Sequence, residues 1–302
     1  MNPDHLATVP PEIEWFANLG NKATRRAYET ALQDFMRFAG IVQPDEFRSV
    51  TRAHVIAWRD HLVQRALSSQ TVRHRLAALS SLFEHLCERN AVTHNPVKGV
   101  KRPAVESAEG KTPALADHQA RQLLDAPTGD TLKARRDRAM LATLLYHGLR
   151  RDELCRLKVR DFKQDRRGVP HLKVSGKGGK TRYVPLHPAA GTLVMEYLEV
   201  AGHAGEGGGA LFRPLHSGRT QGPAAAITTD AVYKIVRAYS AGLGFRGGAH
   251  ALRATAATNA LDHQADIAKV QEWLGHANIA TTRIYDRRST RVEDSPTFKV
   301  DY

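Results

Sequence analysis

The chain has 302 residues, enough for two domains with cores of their own, and carries 44 Lys and Arg against 31 Asp and Glu, a formal charge of +13. Such an excess points to a polyanionic partner and to salt-sensitive binding, the alternative being a merely soluble basic protein. Two cysteines, Cys87 and Cys155, lie inside apolar helical patterns and read as reduced core residues; they are too few for a four-cysteine zinc site. No stretch of about 18 apolar residues is present, and "MNPDHLATVPPEIEWF" has no basic segment followed by an apolar run. No membrane span and no signal peptide are expected, and the expected location is cytoplasmic.

Helices fill the first hundred residues. "NKATRRAYETALQDFMRFAG" places Tyr28, Leu32, Phe35 and Met36 on one face and stops at Gly40. "TRAHVIAWRDHLVQRAL" repeats the pattern with Val55, Trp58, His61 and Leu62. In "SSQTVRHRLAALSSLFEHLCERN", Ser69 is the expected cap and Val72, Leu76, Leu79, Phe83 and Leu86 form the apolar stripe. The opposite face carries Arg73, His74 and Arg75, either a solvated face or a nucleic-acid contact. "NPVKGVKRPAVESAEGKTPA", Asn95 to Ala114, has three prolines, two glycines and no helical period, so an interdomain connection is expected there. Lys98, Lys101 and Arg102 make its start basic enough that it could itself lie on phosphates.

The remainder mixes helices with a little sheet. "DRAMLATLLYHG" is an apolar helix stopped by Gly148, and "RRDELCRLKVRDF" starts another. "HLKVSGKGGKTRYVPL" alternates around a glycine-rich turn, the signal of a β-hairpin. "AGHAGEGGGALF" reads as a flexible loop, "ITTDAVYKIVRAYSAGLG" as an amphipathic helix with Asp230 as a possible cap, and "HALRATAATNAL" and "ADIAKVQEWLGH" as two more helices.

Four short segments carry chemistry. In "YHGLRRDEL", Arg150 stands where a helix begins, and backbone N–H groups at a helix start favour an anion. In "SGKGGKTR", Lys177 sits at the tip of the expected hairpin, a poor core residue but a good proton donor to a leaving oxygen. "GKGGKT" lacks the spacing of a P-loop and lies between strands, so an ATPase is rejected. His250 and Arg253 in "AHALRATAATNAL" are three apart on one helical face, a pairing suited to a phosphate. Finally, "LGHANIATTRIYD" offers His276 after a helix-ending glycine and a tyrosine, Tyr285, whose hydroxyl needs help to act as a nucleophile.

Each segment alone is weak, but their order resembles the tyrosine recombinase, or phage-integrase, family: "GLRRDEL", "VSGKGGKTRYVPL", "HALRATAAT" and "VQEWLGHANIATTRIYDRR". The resemblance covers nearly the whole chain and is closest to compact two-domain Xer-like or transposon-type recombinases. It implies a mostly α fold with a small β-sheet. A helical, SAM-like core-binding domain would occupy 1–104, a linker 105–112 and an α+β catalytic domain 113–302, with a C-terminal tail from 286. It implies a site-specific recombinase or integrase that cleaves and rejoins DNA through a 3′-phosphotyrosyl link, with Tyr285 as nucleophile. Arg150, Arg253, His250 and His276 would hold the phosphate and Lys177 would protonate the leaving oxygen. Ala254 and Ala256 depart from the family's usual histidine and aromatic, and read as packing changes. No cofactor or metal is implied. The implied partners are duplex DNA with paired half-sites, other copies of the chain in a tetramer, and accessory proteins. The alternatives are a type IB topoisomerase-like enzyme and a catalytically silent DNA-binding protein.

Overall fold

The structure is a computed structural model that describes residues 11–104, 114–176, 179–215 and 225–286, with 295, 297 and 300. Its contacts divide the chain into two units, Met1–Ser107 and Ala108–Tyr302. The expected linker, 105–112, lies outside the described residues. No helix among the described residues is long and apolar enough to cross a membrane.

The first unit is helical: α1 (Pro11–Asn18), α2 (Lys22–Ala39), a 3₁₀ turn (Pro44–Ser49), α3 (Arg52–Gln64) and α4 (Ser69–Glu88). Asn21 caps α2 by accepting from the Ala23 and Thr24 amides, and Gly40 ends it in the left-handed region. The apolar stripes read from the sequence meet in one core, where Phe35, Trp58, Leu62, Leu76, Leu79 and Phe83 are buried. The cap of α4 is Ser68, not Ser69: its hydroxyl accepts from the Thr71 amide at 3.2 Å, because Ser68 keeps extended backbone while Ser69 is already helical. The connection does not begin at Asn95. Val97 and Val100 are buried in this same core, so the turns as far as Val100 belong to the unit.

The second unit holds α5 (Asp117–Asp125), α6 (Leu132–His147), α7 (Arg151–Arg156), β1 (Gln164–Arg166), β2 (Val169–Ser175), β3 (Thr181–Pro185), α8 (Pro188–Ala201), α9 (Thr229–Gly242), α10 (Ala249–Asp262), α11 (Ile267–Leu274) and α12 (Ala280–Arg283). The hairpin expected between 171 and 186 forms from β2 and β3, with Leu172 opposite Val184 and Val174 opposite Arg182. The polar strand β1 adds to the other edge of β2, giving an antiparallel order β1-β2-β3. Helix α6 is the central strut, buried along most of its length. The cap of α9 is Thr228, whose hydroxyl accepts from Ala231 at 3.1 Å; Asp230 lies within the first turn and pairs with Lys234 at 2.8 Å. "AGHAGEGGGALF" ends in the core rather than in solvent, since Leu211 and Phe212 are buried and Leu211 bonds back to Leu157. Both cysteines are free; Cys155 is buried and Cys87 half-buried.

His147, at the end of α6, is buried and fixed as a neutral tautomer. Its Nε2 accepts from the His187 amide at 3.0 Å, so Nδ1 carries the proton and donates to the Thr143 carbonyl at 3.1 Å. Burial pushes its pKa down to about 4 from 6.5, against the pull of the Thr143 carbonyl. The unfolded chain therefore binds a proton near pH 6.5 that the folded chain refuses. Stability is full above that pH and falls as pH drops from 6.5 towards about 4, by an amount on the order of 3 kcal/mol. His147→Gln, which keeps a donor and an acceptor but does not titrate, should lessen the slope of the unfolding free energy over that window, the remainder coming from His276 and His250. Parallel pH profiles for the two chains would contradict this assignment.

Candidate active site

The turn from α6 into α7 sets the first arginine. Gly148 ends α6 at φ 57°, and Arg150 becomes the N-cap residue of α7. Glu153, one turn on, is fully buried. It accepts from the Arg150 amide at 2.8 Å and from Arg150 Nη1 at 2.9 Å. Its carboxylate also takes a two-pronged clamp from Arg182, Nη1 to Oε1 and Nη2 to Oε2, each at 2.9 Å. Burial alone would raise the Glu153 pKa; the bonds and charge of Arg182 and Arg150 outweigh it and bring the carboxyl down to about 2. Glu153 is thus an anion that orients two cations.

Helix α10 supplies the second arginine. Arg253 is 1% exposed, and it donates from Nη1 to the Gly148 carbonyl and from Nη2 to the Leu274 carbonyl and His276 Nε2. Those contacts use three of the five N–H donors of a guanidinium. Burial and the neighbouring Arg150 lower its pKa to about 10, so it stays charged at neutral pH. Arg253 thereby ties the α6–α7 turn to the end of α11.

His276 follows Gly275, which closes α11 at φ 66°. Since Arg253 is a donor, Nε2 is the acceptor there, and Nδ1 carries the proton and donates to Thr282 Oγ1 at 2.9 Å. Burial, then the charges of Arg253 and Arg150, push His276 down to about 4. Tyr285, just past α12, is 5% exposed and packs with Ala254, Ala257, Leu261, Val270 and Leu274. Its ring centre lies 6.2 Å from that of His276. Burial raises its pKa, while Arg253 and Arg150 oppose the rise, so the resting hydroxyl is protonated. Ala254 packs in the Tyr285 cluster; Ala256 is likewise buried. His250 stands one helical turn before Arg253, and burial with the charges of Arg253 and Arg150 lowers its pKa.

The structure therefore gathers Arg150, His250, Arg253, His276 and Tyr285. Lys177 lies outside the described residues, as does most of the tail after Asp286; the hairpin that carries it is closed by the Gly176 amide on the Lys180 carbonyl at 2.7 Å. Arg73, His74, Arg75, Lys101 and Arg102 belong to the first unit. Arg75 is engaged there with the buried Asp34, which also holds Arg65 at 2.8 Å. Arg73 donates to the Pro103 carbonyl at 3.2 Å, His74 rests 5.7 Å from the Tyr28 ring, and Lys101 and Arg102 are exposed. Sequence reasoning passed over Glu153, Arg182 and Thr282. Glu153 had a local signal, since it stands three residues after Arg150 as in a capping box; Arg182 and Thr282 sit inside "SGKGGKTR" and "LGHANIATTRIYD", where nothing local names their partners. Among the described residues, no group of three or more His, Cys, Asp or Glu could hold a metal ion.

Gly148 can be tested directly. A Cβ there would stand 2.8 Å from Leu274 Cδ2 and 3.2 Å from the Trp273 ring, on a backbone of positive φ. Gly148→Ala should cost about 2–4 kcal/mol, from strain in the left-handed region plus overpacking, and should displace the carbonyl on which Arg253 rests. Calorimetry checks the first effect; an unchanged melting temperature would show that the turn yields freely.

The sequence profile of the phage integrase family matches residues 113–291, and that of the phage integrase N-terminal SAM-like domain matches residues 19–92. Tyrosine recombinase XerC of Herpetosiphon aurantiacus is 32% identical over 283 residues, 92% of this chain and 87% of the relative. Tyrosine recombinase XerD of Listeria monocytogenes serotype 4b is 30% identical over 275 residues, 87% of this chain and 86% of the relative. In fold, the chain matches the XerH site-specific recombinase in its post-cleavage complex with a palindromic difH substrate. The TM-score is 0.71 at 22% identity, covering 91% of this chain and 80% of that one. It also matches a lambda integrase dimer bound to a COC′ core site, with a TM-score of 0.68 at 18% identity, covering 94% and 95%. The chain belongs to the phage integrase family, the tyrosine-type site-specific DNA recombinases.

Proposed function

We propose that this recombinase cleaves one strand of duplex DNA by attack of the Tyr285 hydroxyl oxygen on a backbone phosphorus. The new bond is Oη–P, the bond broken is P–O5′, and the products are a 3′-phosphotyrosyl link and a free 5′-hydroxyl. Attack by the 5′-hydroxyl of a partner strand reverses the step and reseals the DNA, so the phosphoester energy is kept and no nucleotide is consumed. Arg150 and Arg253 neutralise the charge that builds on the non-bridging oxygens, the service that two metal ions provide elsewhere. Two N–H donors of Arg253 are left over from its protein contacts for that purpose. His250 and His276 bond the phosphate or take the tyrosine proton, His276 by exchanging its resting bond to Arg253 or Thr282, and Lys177 donates a proton to O5′.

One observation carries this reading above the rest. A single buried guanidinium, Arg253, touches the Gly148 turn before Arg150, the Leu274 end of α11, and His276, and its charge reaches Tyr285. Segments that lie more than a hundred residues apart thus meet at one anion-ready point.

The partner is double-stranded DNA with paired half-sites, bound by several copies of the chain. The +13 charge suits it, and lambda integrase, of the same fold, is known as a tetramer on a Holliday junction. Boundaries of 1–104 for the core-binding part and 113–302 for the catalytic part are proposed with it. A role for the tail after Asp286 in joining neighbouring copies, help from accessory proteins, and action at the nucleoid complete the reading. Strand exchange in EDTA between two plasmid copies of a site selected by binding tests it. Recombinant product is expected. Relaxation without exchange would assign the chemistry to a topoisomerase, and loss on chelation with rescue by metal would end the metal-free mechanism.

A further inference from the structure

Arg182 closes the "SGKGGKTR" segment, in which Lys177 carries the expected chemistry. It lies on β3, whose alternation points Arg182 and Val184 inward while Thr181, Tyr183 and Pro185 face out. Its side chain is 16% exposed. Three donors are committed: Nη1 and Nη2 to the two oxygens of Glu153, and Nε to the Trp273 carbonyl at 2.9 Å. The Arg182 stem also passes under Gly275, where a Cβ would meet its Cδ and Nη1 at 3.3 Å. All three of these contacts are to protein groups. The side chain spans the two pieces of backbone that present Arg150 and His276.

We infer that Arg182 is a positioning residue for strand cleavage: through Glu153 it sets the Arg150 guanidinium, and through the Trp273–Gly275 turn it sets His276. This rests on the roles proposed above for Arg150 and His276. The planar fork is essential to the geometry. One face of the fork meets a carboxylate with two parallel bonds while Nε reaches a carbonyl 91 residues further on, and an ammonium, being a point donor, cannot do both. Glu153 also depends on the pair, because its burial would otherwise favour the neutral acid, which could not hold Arg150 as an anion does. A Cβ at Gly275 would crowd the Arg182 stem at 3.3 Å, and the positive φ there favours glycine. Misplacing reacting groups by about 1 Å costs on the order of 10² in rate without touching affinity.

The test uses Arg182→Lys, which keeps the charge and loses the fork. Covalent protein–DNA complex is followed in single turnover on a duplex half-site selected from a random pool, next to half-site affinity by gel shift and the titration of His276 by NMR. Expected are nearly unchanged affinity, a fall in cleavage of about 10²-fold, and a His276 midpoint that rises from about 4 towards its ordinary value as the turn loosens. A lysine variant that cleaves at the parental rate overturns the inference. If the parental chain itself makes no phosphotyrosine, the recombinase mechanism fails, and the NMR titration still decides the question of Arg182: an unmoved midpoint in the variant overturns it. Should the lysine variant not fold, Arg182→Met with Glu153→Gln removes the buried charge and its partner together. That pair should recover the melting temperature and not the cleavage. Full cleavage by the folded double variant would mean that Arg182 only stabilises the fold.

Discussion

Arg253→Lys should lose at least about 10² in single-turnover cleavage and a measurable part of its stability, while Arg151→Ala, one residue from Arg150, should change cleavage little. The reason is the division of labour on one guanidinium. Arg253 is 1% exposed and already serves the Gly148 carbonyl, the Leu274 carbonyl and His276. A lysine at this position offers three donors from a single nitrogen and cannot reach two carbonyls and an imaidazole while also facing a phosphate. At least one buried carbonyl is then left without a donor, at a cost of about 1–3 kcal/mol. The catalytic loss is larger, because each donor to a developing oxyanion is worth about 10²–10³ in rate. Arg151, by contrast, is exposed and lies 5.6 Å from the Tyr233 ring, away from the Glu153 carboxylate. Rates are compared on the same selected half-site, with calorimetry alongside. A lysine variant within a few-fold of the parental rate, or a larger defect from Arg151→Ala, would mean that the arginines have been assigned to the wrong positions.

The elements that show in the sequence are those with a period or a chemical stop. The stripes of α2, α3 and α4, the apolar α6 ending at Gly148, and the alternation of β2 and β3 all repeat on a short scale and could be read residue by residue. Strand β1 could not. Gln164, Asp165 and Arg166 pair with β2 through the backbone at a sheet edge, and nothing apolar alternates. Ser68 and Ser69 are chemically alike, and the choice between them depends on where the backbone turns helical, which is a property of packing. Val97 and Val100 return to the core from non-helical turns, so they look like linker until the core is seen. The gathering of Arg150, Arg253, His276 and Tyr285 was legible only as an order of motifs. What joins them was not. The bonds from Arg182 to Glu153 and Trp273, and from Arg75 to Asp34, span 29, 91 and 41 residues, and no local pattern reports a partner at such a distance. A charged helix face reads as solvated or DNA-facing until a buried carboxylate is found opposite it.

The proposed nucleophile, Tyr285, is buried and protonated at rest. Cleavage therefore requires that the Tyr285 proton leave as the phosphate arrives, with the arginines holding the charge. Trapping the chain on a nicked duplex half-site, digesting the protein and sequencing the DNA-bound peptide by mass spectrometry identifies the linked residue and the end of the DNA strand. The expected result is a peptide containing Tyr285 joined to a 3′-phosphate, formed by the parental chain and absent from Tyr285→Phe, which should still bind the half-site because only the hydroxyl is lost. An adduct on another residue, a 5′-linked strand, or an adduct that survives in Tyr285→Phe would contradict the mechanism.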